Sequence, residues 1–171
     1  STAYAGPLVR VNISGTFYDV YPDTNGKFSL DSKISSVVTP FNAAIAVAGT
    51  NSLSSIVTVT TNATVAIWYD QSGWGRTLTN GTTASQPTII SAGAIRMKAN
   101  GPTLFFDATD DGLTSSAAAY MNATPLSVNL VAGSNSSSSA ARRAVAGSNN
   151  WLLGPYGNYN GWHATSWNNQ L

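Results

Sequence analysis

The 171-residue chain contains no cysteine and no glutamate, and it carries a single histidine, His163. Without thiolates, disulfide staples and cysteine-based zinc sites are excluded, and one imidazole does not assemble a histidine-rich metal centre. Charge is scarce as well: charged residues make up 9% of the chain and the formal net charge is +1, so the basic surface that grips nucleic acid or anionic lipid is missing. No stretch reaches the roughly 18 apolar residues of a membrane helix, and no membrane insertion is expected. The opening "STAYAGPLVRV" lacks an initiator Met and a signal-peptide pattern, and the closing "WHATSWNNQL" lacks a basic tail or linker. The expectation is one domain over residues 1–171, cut from a larger polypeptide.

What the chain does have is Ser, Thr, Asn and Gly in abundance, with Val, Ile and aromatics as its apolar residues, a balance that suits strands joined by polar turns. "LVRVNI" (8–13) and "TFYDVYP" (16–22) alternate apolar and polar residues around Gly15 and read as a hairpin. Asn25-Gly26 predicts a type I′ turn, with Phe28 and Leu30 on a short return strand. Ile34, Val37 and Val38 stand at helical spacing before Pro40, which predicts one short helix followed by irregular chain. "SIVTVTT" (55–61) and "ATVAIWYD" (63–70) read as two strands or one interrupted strand. Leu104 to Phe106 reads as a buried strand ended by Asp107, and "PLSVNLVAGS" (125–134), "AVAGS" and "NWLLGPYGNYNGWHATSW" as further strands. "SNSSSSAARR" (134–143) is low-complexity loop. Many short strands and at most one short helix point to an all-β, antiparallel two-sheet β-sandwich.

Four blocks carry a likeness: "AYAGPLVRV", "FYDVYPDTNGKF", "VAIWYDQSGWGRTLTNGTTASQPTII" and "GPTLFFDATDDGLT". In order and spacing, over roughly residues 3 to 116, they resemble the concanavalin A-like, LamG-type jelly roll related to the arabinofuranosidase B catalytic domain. Jelly rolls of this type also occur in surface proteins of phages and large DNA viruses. The resemblance implies a two-sheet sandwich over the whole chain. It also implies, for the enzymes, a Glu nucleophile with an Asp acid, and disulfides near the active domain. This chain has neither Glu nor Cys.

A glycosidase needs two carboxyl groups roughly 5 to 9.5 Å apart. Asp70, Asp107, Asp110 and Asp111 all fall at expected strand ends, but "ATDDG" is the pattern of an Asx-turn. No catalytic residue is therefore assigned. Asp107, Asp110 and Asp111 are also weak calcium candidates, and apart from calcium no cofactor is expected. Ser72 has no G-x-S-x-G elbow around it, which sets serine-hydrolase chemistry aside. In "AIWYDQSGWG" (66–75), Trp68 is expected to point inward and Tyr69 to the other side, with Asp70 and Ser72 capping the turn.

The aromatics lead toward glycans. Trp151, Tyr156, Tyr159, Trp162 and Trp167 crowd into the last part of the chain among asparagines, and flat rings beside amides suit a neutral sugar. The same rings equally suit alternation in a sandwich core. Trp74 and Arg76 stand in an expected loop as a further glycan or partner contact, or as a seal on the turn. Sequons at Asn12, Asn62, Asn80, Asn122 and Asn135 permit N-glycosylation, in about the number this composition produces by chance.

The expected function is a non-catalytic surface or structural module of an extracellular, appendage or virion protein. Its expected partners are neutral glycans or neighbouring subunits of an assembly. The alternative is an arabinofuranosidase-type glycoside hydrolase.

Overall fold

A computed structural model describes residues 4–38, 47–72 and 75–115, together with the backbone of three strands further on. The chain forms two compact units, Ser1–Ser116 and Ala117–Leu171. In the first, eight strands make one curled antiparallel sheet: β1 (Val9–Ile13), β2 (Thr16–Val20), β3 (Lys33–Ser35), β4 (Ala48–Ser52), β5 (Ala63–Trp68), β6 (Leu78–Thr79), β7 (Thr88–Ser91) and β8 (Ala94–Ile95). Their order is β4-β3-β2-β1-β5-β7-β8, with β6 also on β5. A small hairpin follows, β9 (Met97–Lys98) with β10 (Gly101–Pro102). In the second unit β11 (Val145–Ala146), β12 (Trp151–Pro155) and β13 (Trp162–Ser166) form a three-stranded antiparallel sheet. The described residues contain two single 3-10 turns, Leu53–Ser55 and Thr83–Ser85, and no α-helix. The all-β antiparallel class thus holds. The stretch 125–134 lies outside the described residues.

Turn chemistry explains the pairing. Ser14-Gly15, Ala92-Gly93 and Ala99-Asn100 each join paired strands with two successive positive φ angles, the requirement of a type I′ turn. Asn25-Gly26, expected to be such a turn, is not one: Gly26 has φ +75° but Asn25 has no positive φ. Instead Asp23 organises this loop, its Oδ1 accepting the Asn25 and Lys27 N–H groups at 2.8 and 2.9 Å and its Oδ2 the Ser29 hydroxyl at 2.8 Å. Phe28 and Leu30 consequently enter the core from a loop rather than from a return strand.

Three further expectations are corrected by tertiary pairing. Ile34 lies in β3 opposite Val20, and Val38 bridges Phe17, so the helical spacing there is accidental. Residues 55–61 are not a strand; Thr61 Oγ1 accepts the Thr58 N–H at 2.8 Å and the Thr61 N–H returns to Thr58 O at 3.0 Å. Such hydroxyl-to-backbone bonds compete with a ladder despite the β-branched composition. Leu104 to Phe106 is half-buried at best, with Phe106 46% exposed and Phe105 making one isolated bridge to Thr88.

Alternation along β1 and β2 gives the sheet two buried faces. Val9, Val11 and Val20 join Ile34, Leu53, Val65 and Ile90 in the larger cluster. Phe17, Ala66, Ile67 and Tyr69 form a second cluster, backed by Val38. Between β1 and β5 the register jumps from Arg10↔Ile67 to Val11↔Val65, which leaves Ala66 as a bulge residue. The extra residue shifts the alternation by one, so Ile67 and Tyr69 join Phe17 while Trp68, expected inward, comes out 42% exposed.

Ala92 adopts a φ of +49°, unfavourable for any residue with a Cβ and least so for Asn. Ala92→Asn is expected to raise stability by about 0.5–1 kcal/mol, read as a higher urea midpoint at unchanged slope. A Cβ on Gly93 would meet Thr58 O and Val59 Cα, so Gly93→Ala is expected to cost about 2 kcal/mol or more in the same assay.

Candidate functional site

Beneath the second cluster lies a polar network that alternation alone would place in solvent. Arg10 and Asp19 face each other across the β1–β2 hairpin and both are fully buried. Arg10 Nε donates to Asp19 Oδ1 at 2.8 Å and Nη2 to Oδ2 at 2.9 Å, a bidentate pair. The Tyr69 hydroxyl donates to the same Oδ1 at 2.7 Å, and the Asp19 N–H donates to Ser35 Oγ at 2.9 Å. Burial works to lower the Arg10 pKa, but the hydrogen bonds and charge of Asp19 and Tyr69 outweigh it and the pKa rises. Burial first, then the Asp19 hydrogen bond and charge, push the Tyr69 hydroxyl far above its ordinary value.

A buried amide, that of Gln86, ties the neighbouring strands. Gln86 Oε1 accepts Asn12 Nδ2 at 3.1 Å and the Thr64 hydroxyl at 2.8 Å, while its Nε2 donates to Asn80 O at 2.9 Å. Gln86 is 2% exposed, so these bonds supply what water would otherwise supply.

Above Tyr69 the chain leaves β5 through the corner Asp70-Gln71-Ser72. Asp70 caps it as expected: Oδ1 accepts the Ser72 N–H at 2.8 Å and Oδ2 the Arg76 N–H at 2.9 Å. The Ser72 hydroxyl donates to the Asp70 carboxylate as well. A shallow, open cleft of about 220 Å³ lies here, lined by Trp68, Tyr69, Asp70, Gln71, Arg76 and Leu78. Trp68 offers a half-exposed ring, and Gln71 and Arg76 are exposed beside it. Arg76 was anticipated as a contact residue, whereas Trp68 and Gln71 were not. The bulge that turns Trp68 outward leaves no mark in the sequence; an exposed Gln in a capped corner is the one signal that could have been read.

Trp74, Tyr156, Tyr159 and Trp167 lie outside the described residues. Trp162 begins β13 in register with Pro155, and Trp151 begins β12 in register with Ser166, so the two tryptophans stand at opposite ends of that hairpin.

Asp107, Asp110 and Asp111 do come together, with one carboxylate oxygen of each within 4.8 Å of the others. Each is used by the loop. Asp107 Oδ1 accepts the Thr109 N–H at 2.7 Å, Asp111 Oδ2 the Asp107 N–H at 2.8 Å, and Asp110 Oδ2 the Ser85 hydroxyl at 2.6 Å. The Asp107–Thr109 bond is an Asx-turn, the Asp111 bond closes the same loop, and Asp110 ties it to Ser85.

The sequons separate by burial. Asn12 is 4% exposed, with Oδ1 accepting the Gly15 N–H and Nδ2 committed to Gln86. Asn80 Nδ2 donates to Ser85 O and Gly112 O at 2.6 and 2.7 Å. Both amides are structural, and a glycan on either is incompatible with these bonds. Asn62 is exposed; Asn122 and Asn135 lie outside the described residues.

Fold and cleft together define an antiparallel all-β protein with an aromatic and polar cleft at the end of a central strand. Set against protein-family models, curated proteins and solved structures, the chain matches none.

Truncating one partner of a buried ion pair strands the other charge, so Asp19→Ala is expected to cost about 3–5 kcal/mol in urea unfolding. Tyr69→Phe is expected to cost about 1 kcal/mol. Backbone N–H donors, Lys27 foremost on Asp23 and Thr109 on Asp107, hold these two carboxyls below the ordinary range, while burial holds Asp111 above it. The depressed pair favours folding above the unfolded pKa of about 3.9, and that contribution is lost as pH falls through the lower folded values. Asp111 acts in the opposite sense, favouring folding at low pH and losing that contribution as pH rises through its raised value. Carboxyl NMR titration is expected to place Asp23 and Asp107 below Asp111; the reverse order would refute the assignment.

Proposed function

We propose that the chain is a non-catalytic, glycan-binding module of an extracellular, appendage or virion surface protein, built as a two-sheet jelly roll. The observation that carries this reading is the cleft at the end of β5, where the half-exposed Trp68 ring stands beside the side chains of Gln71 and Arg76. A sugar presents a C–H face that stacks on an aromatic ring and hydroxyls that bond to amide and guanidinium groups. Neutral glycans are the ligand class that fits.

The hydrolase reading finds less support. Among the described residues Asp70 is the sole carboxyl lining the cleft, and its oxygens accept N–H groups of its own corner. A retaining or inverting glycosidase needs a second carboxyl across the scissile bond.

The test is a neutral-glycan array followed by titration of the best ligand. Trp68→Ala is expected to weaken binding about three- to tenfold, the scale of one aromatic contact, without lowering the unfolding free energy by more than about 1 kcal/mol. The protein is also expected to release no arabinose from an aryl arabinofuranoside. Absence of binding to every neutral glycan, or arabinose release, would sink the proposal.

A further inference from the structure

Asparagine followed by glycine is chemically fragile, because a glycine nitrogen has no adjacent Cβ to hinder its approach to the side-chain amide carbon. Three such pairs fall among the described residues, Asn25-Gly26, Asn80-Gly81 and Asn100-Gly101, and the fold treats them differently. Asn80 is half-buried and pinned, with Nδ2 donating to Ser85 O and Gly112 O and Oδ1 accepting the Thr82 N–H at 2.8 Å. Its amide carbon reaches Gly81 only if all three bonds break. Asn100 is the second residue of the β9–β10 turn, and Gly101 stands in ladder register with Lys98. Asn25 is exposed in an irregular loop, and among the described residues no hydrogen bond holds its side-chain amide.

The geometry points to Asn25 as a site of spontaneous deamidation and isomerisation. The Gly26 nitrogen gives its proton to water and attacks Asn25 Cγ, so an N–Cγ bond forms. The Cγ–Nδ2 bond breaks, ammonia leaves with the proton, and a five-membered succinimide remains. Water then adds to either carbonyl of that ring. One opening yields aspartate, and the other yields isoaspartate, in which the chain runs through the former side chain. Water enters, ammonia leaves and nothing is oxidised or reduced. The Gly26 N–H donates to Asp23 O at 2.9 Å, so the reaction needs one exposed loop bond to open, a local event rather than global unfolding.

The product acts on the loop that holds Phe28. Asp23 closes this loop through the Asn25 and Lys27 N–H groups and the Ser29 hydroxyl, and Phe28 follows directly into the core. A new carboxylate at position 25 repels Asp23, and the isoaspartyl form adds one backbone carbon to a closed loop.

The full chain is aged at body temperature and mildly alkaline pH, and isoaspartate and aspartate are quantified by peptide mapping at positions 25 and 80. In the folded protein Asn25 is expected to convert at least about tenfold faster than Asn80, with the gap closing in concentrated urea. Equal rates in the folded protein, or an Asn25 amide that outlasts Asn80, overturn the assignment. The isolated isoaspartyl form is expected to unfold at lower denaturant than the parent; an unchanged midpoint overturns the link to Phe28.

Discussion

The bidentate Arg10–Asp19 pair is the constraint on which the first unit depends. Two charges removed from water cost several kcal/mol each unless geometry returns that energy, so such a pair adds little net stability while penalising every arrangement that separates it. Here the Ser14-Gly15 turn sets the β1–β2 register, and that register puts Arg10 opposite Asp19. A slip of one residue would leave an unpaired charge under the sheet and turn Val9, Val11 and Val20 away from the larger cluster. The hairpin, the ion pair and the apolar face therefore specify one another.

From Asp19 the constraint reaches the cleft. Its Oδ1 binds the Tyr69 hydroxyl, which fixes the end of β5 just where the chain turns into the Asp70 corner. Its N–H binds Ser35 and so holds β3 beside β2. The bulge at Ala66 lets Tyr69 reach Asp19, and the same parity shift places Trp68 on the opposite face, in register with Val9, where it is 42% exposed and lines the cleft. A core requirement and a surface property thus share one irregularity. Gln86 does comparable work on the other side, joining β1, β5 and the chain at Asn80 through a single buried amide.

Much of the strand framework was legible because it rests on local rules. Alternation in "LVRVNI" and "TFYDVYP" marked β1 and β2, β-branched density marked β5, and Asx-turn preference marked Asp70 and the Asp107 loop. The misreadings share a cause. Ile34 and Val38 look helical until the strands that pair with them are present, and "SIVTVTT" looks extended until its hydroxyls bond its own backbone. Asn25-Gly26 looked like the tightest turn, whereas Ser14-Gly15, Ala92-Gly93 and Ala99-Asn100 have the two positive φ angles.

By itself the sequence determined the class: short β-rich segments joined by polar turns, in a chain with no Cys and no Glu. These follow from composition and from preferences acting over a few residues. Tertiary structure alone decided that Arg10, Asp19 and Gln86 are interior, that Trp68 faces out and Tyr69 in, and that Asn80 is locked while Asn25 is open. The reason is physical: burial of a polar side chain and the parity of a bulged strand depend on partners distant in sequence, which local pattern does not encode.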